Sequence, residues 1–236
     1  MTIPPLPDID LARVAPLSED RKWAVLQKMK GGFSTFSYRP VVGSYSDIFN
    51  VQLGMLGEAP PTSLKQIEHQ VGRACRSVEE RRNNLQVAKA LHAFTAASGI
   101  AGRRQEFFPL NVGVGKKVSF WLPMVVAIKE LPYAVFIDPR RTKGLTREAR
   151  RFVFSMMHER IRAADADFAA INLGIIQFRD DKDDGRTVRL FTDHEVELFD
   201  FSELESMVSS TYRIWQEIHE EREVIRRKGT GTGPLI

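Results

Sequence analysis

The chain has 236 residues, 43% hydrophobic and 27% charged, with one cysteine. This composition describes an ordinary globular domain with helical additions, large enough to bury a core, and it excludes an internal disulfide or a Cys-rich zinc site. Net charge is +4, but residues 63–164 hold 19 Lys/Arg against 8 Asp/Glu, whereas residues 165–236 hold 9 against 16.

A basic centre therefore meets an acidic end. Cys75 alone is compatible with a reducing compartment. No apolar run reaches the roughly 18 residues of a membrane helix. The N-terminus, MTIPPLPDID, lacks a basic segment followed by an apolar one. These features predict a cytoplasmic protein. Its expected organisation is an N-terminal arm and helix over 1–62, an α/β core over 63–200, a long helix over 201–228 and a disordered tail over 229–236.

Residues 1–17 carry Pro4, Pro5, Pro7 and Pro16 and read as an extended arm. Ser18 before Glu19 and Asp20 starts a helix that runs to about Lys30 and stops at Gly31-Gly32, with Trp23, Leu26 and Met29 on its buried face. The aromatic, Ser- and Gly-rich stretch 33–50 fits short strands or an ordered loop equally well. Ser63 with Gln66, and Ser77 with Glu80, are capping-box patterns. They predict helices over 64–76 and 78–97, ended by Gly99.

Strands follow over 105–113, 118–128 and 133–138, joined by short turns that favour antiparallel neighbours. The continuous apolar run Val125–Ile128 suits a strand covered on both faces. Thr146 caps a helix over 146–164. Its apolar face is Ala149, Phe152, Val153 and Met156, and its other face carries Arg147, Arg150, Arg151, His158 and Arg162. Asn172–Phe178 is a buried strand, and a helix-long connection makes it parallel to the third strand. DDKDDG (180–185) turns the chain into an edge strand over 187–191. Ser202 with Glu205 caps the last helix. The expected fold class is thus α/β: a mixed sheet made of a three-stranded meander and a crossover helix to a parallel strand, with N-terminal helices and a long C-terminal helix.

Familiar catalytic patterns are incomplete. Gly113-Val114-Gly115-Lys116-Lys117 lacks the leading Gly and final Ser/Thr of a phosphate loop, and reads as a turn. His158-Glu159 has Arg162 where a zinc helix needs a second His. DDKDDG lacks the spacing of a calcium loop. Cys75 has no evident His partner. The richest cluster is Asp138-Pro139-Arg140-Arg141, where Asp138 serves either as a metal ligand or as the start of a turn.

The order helix, three-strand meander, crossover helix, strand over 64–191 resembles the core of restriction-endonuclease-like nucleases, the PD-(D/E)xK superfamily. In that family an Asp on the second strand and a (D/E)xK on the third bind magnesium. Asp138-x-Arg140 looks like a (D/E)xK with arginine for lysine, and arginine is a poor general base. A second register aligns Ala127-x-Lys129. The only acidic residue between Gly115 and Asp138 is Glu130, so Glu106 and Glu68 are the nearby substitutes. The resemblance implies a nuclease-like core without a complete metal site.

The leading expectation is a nucleic-acid-binding protein that contacts phosphates through Arg140, Arg141, Lys143, Arg147, Arg150 and Arg151. A second expectation is a regulatory or assembly protein with 203–228 as its interface to a protein partner or a second copy. A third is a magnesium nuclease using Asp138 with Glu106 or Glu130.

Overall fold

The computed structural model describes residues 6–29, 37–52, 60–112, 115–141, 144–181 and 185–229. Its core is α/β. A six-stranded mixed sheet runs in the order β1 (Val51–Gln52), β2 (Ala101–Arg104), β5 (Met124–Ile128), β6 (Leu131–Ile137), β7 (Asn172–Asp181), β8 (Gly185–Thr192). The expected crossover is present: β6 and β7 are parallel, and α7 (Arg147–Met157) lies between them. The β5–β6 and β7–β8 pairs are antiparallel, as expected.

The front of the meander differs from expectation. The first sheet partner of β5 is β2, which precedes the predicted strand. Most of the predicted 105–113 strand and the start of 118–128 are used elsewhere, in a separate hairpin of β3 (Leu110–Val112) and β4 (Lys116–Val118). The insertion keeps β2 and β5 antiparallel without a tight turn between them. Ala-Gly-Arg-Arg carries little strand signal; Gly102 is there because Val51 Cγ2 and Phe49 O approach within 2.9 and 3.1 Å of where a Cβ would stand.

Helices cover both faces of the sheet. On one side α5 (Leu64–Ala74), α6 (Val78–Ser98), α3 (Arg39–Val42) and α4 (Tyr45–Ile48) pack Ile67, Val71, Val87, Leu91, Val41 and Ile48 against Val126, Val135, Ile137 and Ile176. On the other side α1 (Asp8–Val14), α7 and α8 (Phe201–Gly229) pack Leu11, Phe152, Val153 and Leu204 against Ala134, Phe136, Leu173 and Ile175. Successive residues of β6 therefore alternate between two cores, which is why its sequence is apolar throughout.

The arm expected over 1–17 is instead helical from Asp8. Pro7 sits at its N-cap, Asp8 and Asp10 lie in its first turn, and Leu11, Ala12 and Val14 are buried. Residues 1–5, the Gly31-Gly32 stop and the tail beyond Gly229 lie outside the described residues.

Local cap chemistry is largely as predicted. Ser63 and Gln66 form a reciprocal capping box. Gly99 closes α6 at φ +58°, a left-handed conformation that glycine adopts without strain. The last box is shifted. Asp200, not Ser202, accepts from Glu203 N–H, and the Glu203 carboxylate accepts from Asp200 N–H. Along α8 the seam Leu204, Val208, Thr211, Trp215 and Ile218 is buried. Its lower half packs against α2 (Glu19–Lys28), whose Lys22 is buried and donates to Met207 O at 3.2 Å. Val224 and Ile225 remain exposed on α8. Among the described residues, no helix is long and apolar enough to cross a membrane.

Candidate functional site

The three predicted acids are not brought together. Asp138 is 1% exposed, at the end of β6. It accepts from Arg140 N–H (3.2 Å), Leu145 N–H (3.2 Å) and the Gln177 side-chain amide (3.4 Å). Burial pushes its pKa up, against the pull of those donors. Its carboxylate is therefore occupied in shaping the loop that follows β6. Glu106 is exposed and paired with Arg104 at 2.6 Å. Glu130 is exposed in the β5–β6 turn, at φ +67°. Among the described residues no group of three or more His, Cys, Asp or Glu is placed to hold a metal ion.

Most of the predicted phosphate-binding arginines have partners within the chain, some of them at the surface. Arg140 meets Asp10 at 2.7 Å and Arg141 meets Asp180 at 3.2 Å. Arg150 donates to Leu145 O and Gln177 Oε1 and stacks 3.9 Å from the Phe191 ring centre. Arg151 donates to Glu197 O at 2.6 Å and lies over Phe199. Arg147 is exposed. Lys143 lies outside the described residues. The basic helix faces acidic and carbonyl groups of the C-terminal third, so much of the charge asymmetry is satisfied by packing.

What the fold does assemble is a cleft of about 1000 Å³ at the carboxyl end of β6. In α/β sheets this is where ligand crevices form, because the chain leaves the sheet there. Its walls come from the start of α1, from α3 and α4, from the first turns of α6, and from residues 119–122 and 137–141. Arg13, Arg39, Arg82, Arg140 and Arg141 line it, against Asp8, Asp10 and Glu79. Tyr38, Tyr45, Trp121 and Phe136 supply its aromatic surface. Burial pushes the Asp8 carboxyl up. A hollow of about 1140 Å³ adjoins it behind Arg39. The buried carboxylate there, Glu80, is already saturated by Ser37 N–H and Arg76.

Two buried groups have unused hydrogen-bonding capacity: Tyr45, which lines this cleft, and Arg186, which contacts cleft residues without lining it. Tyr45 is 4% exposed, and its hydroxyl has no partner among the described residues. Burial drives its pKa up, with Asp138 and Tyr38 adding to the shift. Arg186, on β8, is 2% exposed and reaches toward the cleft's Pro139, Tyr38 and Asn83. Its Nε has no acceptor among the described residues.

Sequence reasoning missed these residues. One signal was available for Arg186: it shares its strand face with Val188 and Leu190, two residues apart each time, so it had to point inward.

A family model described as "Sliding clamp-binding bacterial toxin SocB" matches residues 9–225. The DNA replication inhibitor toxin SocB of Caulobacter vibrioides (strain NA1000 / CB15N) is 36% identical over 228 residues, covering 97% of this chain and 95% of that protein. The chain belongs to the SocB family. No solved structure matches it. The family match runs from α1 into the exposed end of α8, so all of the cleft's lining except Pro7 and Asp8 lies within the matched region.

This membership overturns the leading expectation of a nucleic-acid partner. The SocB family is described by a protein target, the sliding clamp. The magnesium-nuclease reading goes with it, since Asp138, Glu106 and Glu130 stand apart. The expectation of a regulatory protein with a protein partner is the one the SocB family favours.

Proposed function

We propose that this chain is a toxin that inhibits DNA replication by binding a sliding clamp. The observation that carries this reading is the SocB match, which spans nearly all of both chains at 36% identity. The fold supports it in two ways. The arginines expected to follow a phosphate backbone are largely held by internal carboxylates and carbonyls, so they offer no continuous cationic track. The cleft instead combines arginines with tyrosine and tryptophan, the residue types that dominate protein–protein hot spots.

Inhibition here needs only occupancy of the clamp, with no bond made or broken. The test is direct. The purified chain is titrated against the sliding clamp of the same organism by calorimetry, and DNA synthesis is followed after induced expression in that organism. Saturable binding, with arrest of synthesis relieved by extra clamp, is the expected result. Arrest without clamp binding would overturn it.

A further inference from the structure

β8 is an open edge of the six-stranded sheet. Its residues from Gly185 to Thr192 all pair with β7, and among the described residues no other segment hydrogen-bonds to its backbone. An edge of that length presents a row of unused N–H and C=O groups, the template on which an extended peptide adds as a further strand.

The two faces beside this edge differ. Val188 and Leu190 are half-buried against the core that α6 covers, whereas Phe191 packs into the core under α7. Arg189 lies two residues from Phe191, so it shares the α7 face, and its guanidinium stands 4.5 Å from that ring centre. On β7, Gln177 and Arg179 stand opposite Arg189 and Thr187 on the same face. From α7, Arg150 donates to Gln177 Oε1 at 3.2 Å and stacks on Phe191, and Arg147 lines the same small hollow. Among the described residues none of Arg147, Arg150, Arg179 and Arg189 has an ion pair. The nearby carboxylates of Glu148 and Glu197 face Arg151 instead. The cluster also repels itself: after burial, Arg189 and Arg147 push the Arg150 pKa down.

We propose that β8 receives an extended acidic strand of a protein partner. The partner's backbone pairs with the open edge. Its acidic side chains, at alternate positions, meet the arginines on the α7 face through charge-assisted hydrogen bonds, and the apolar side chains between them lie beside Val188 and Leu190 on the α6 face. A second copy of this chain fits poorly, because antiparallel pairing of β8 with β8 sets arginine face against arginine face. A compact anion would leave the strand edge unused. This inference does not depend on the clamp reading, and the two stand or fall separately.

The experiment follows binding of a fluorescein-labelled ten-residue peptide of alternating Glu and Val to the full chain by anisotropy. Two further peptides keep the same side chains: one has five Glu followed by five Val, and the other alternates but carries a methyl group on every backbone nitrogen. The proteins are the native chain, Arg179→Glu with Arg189→Glu, and a control with Arg21→Glu and Arg73→Glu. All four substituted positions are exposed, and the control pair lies on α2 and α5. The alternating peptide should saturate the native chain, bind the edge variant at least about tenfold more weakly, and bind the control within about twofold. The block and methylated peptides should bind the native chain at least about tenfold more weakly, since neither can pair as an alternating strand. Arg189→Gln removes one charge without reversing it; it should weaken binding about threefold, and it reads the same site if the double reversal disturbs folding.

Absence of saturable binding to the native chain overturns the proposal, as does native affinity in both edge variants. Equal affinity for the block or methylated peptide reduces the contact to unpatterned charge and overturns it too. A dimer of the native chain that dissociates in the edge variant, with no peptide bound, gives the edge to a second copy and overturns the acidic-strand site.

Discussion

Arg186 donates to Asn83 Oδ1 at 3.3 Å across 103 residues of sequence, so a neutral amide meets a guanidinium that is 2% exposed. Among the described residues no carboxylate is paired with Arg186, and a buried cation so placed carries its desolvation cost largely uncompensated. Asn83→Asp places the missing charge beside it. The new ion pair should raise stability by about 1–3 kcal/mol at neutral pH, net of the lost Asn83 bond to Glu79 O. The arginine holds the new aspartate below its usual range, so the gain is present above that range and fades as pH falls through it. Urea unfolding at pH 7 and pH 3 would check this, and destabilisation at pH 7 would refute it.

Glu80 ties the start of α6 to residues 37–41. Its carboxylate accepts from Ser37 N–H at 2.9 Å and Arg76 N–H at 2.6 Å, while the neighbouring Asn84 takes Val41 N–H at 3.1 Å. The Arg76 guanidinium and these amides hold Glu80 down at about 2. Because the folded value lies below the unfolded one, the contribution is complete above about 4.5 and is lost as pH falls toward 2. Glu80→Gln should therefore lower the melting temperature at pH 7 and flatten its fall in acid. Parallel melting curves for both proteins across that range would exclude this role.

Gly144 is required by the turn around Asp138. A Cβ there would stand 2.7 Å from Gln177 Nε2 and 3.8 Å from Asp138 Oδ2. Gln177 cannot retreat without losing its bonds to Asp138 and Arg150. Gly144→Ala should cost about 1–3 kcal/mol through overpacking. A urea midpoint equal to that of the native chain would show that the loop yields freely.

The arginines of α7 should separate by what they touch. Arg150→Ala removes two hydrogen bonds and the stack on Phe191, and should destabilise by about 1–3 kcal/mol. Arg147→Ala, at an exposed position, should stay within about 0.5 kcal/mol. Equal effects in chemical denaturation would mean that Arg150 is not structural.

Much of the architecture was legible in the sequence. The α5 and α6 boundaries, Thr146 as a cap, the buried face of α7, the β6–α7–β7 crossover and the β7–β8 hairpin all depend on periodicity and on hydrogen bonds between residues a few positions apart. Such patterns are local, so a linear reading captures them. β2 was missed because Ala101–Arg104 carries almost no strand propensity and is held by pairing to β1 and β5. The α1 helix was hidden by the prolines before it. The cleft was not legible, since its walls come from five separate stretches between Pro7 and Arg141. Nor was the fate of the basic residues. Sequence fixes how many charges a segment carries; only the tertiary structure decides which of them meet a carboxylate, because a charge is satisfied by whatever stands within a few ångströms in space, however distant along the chain.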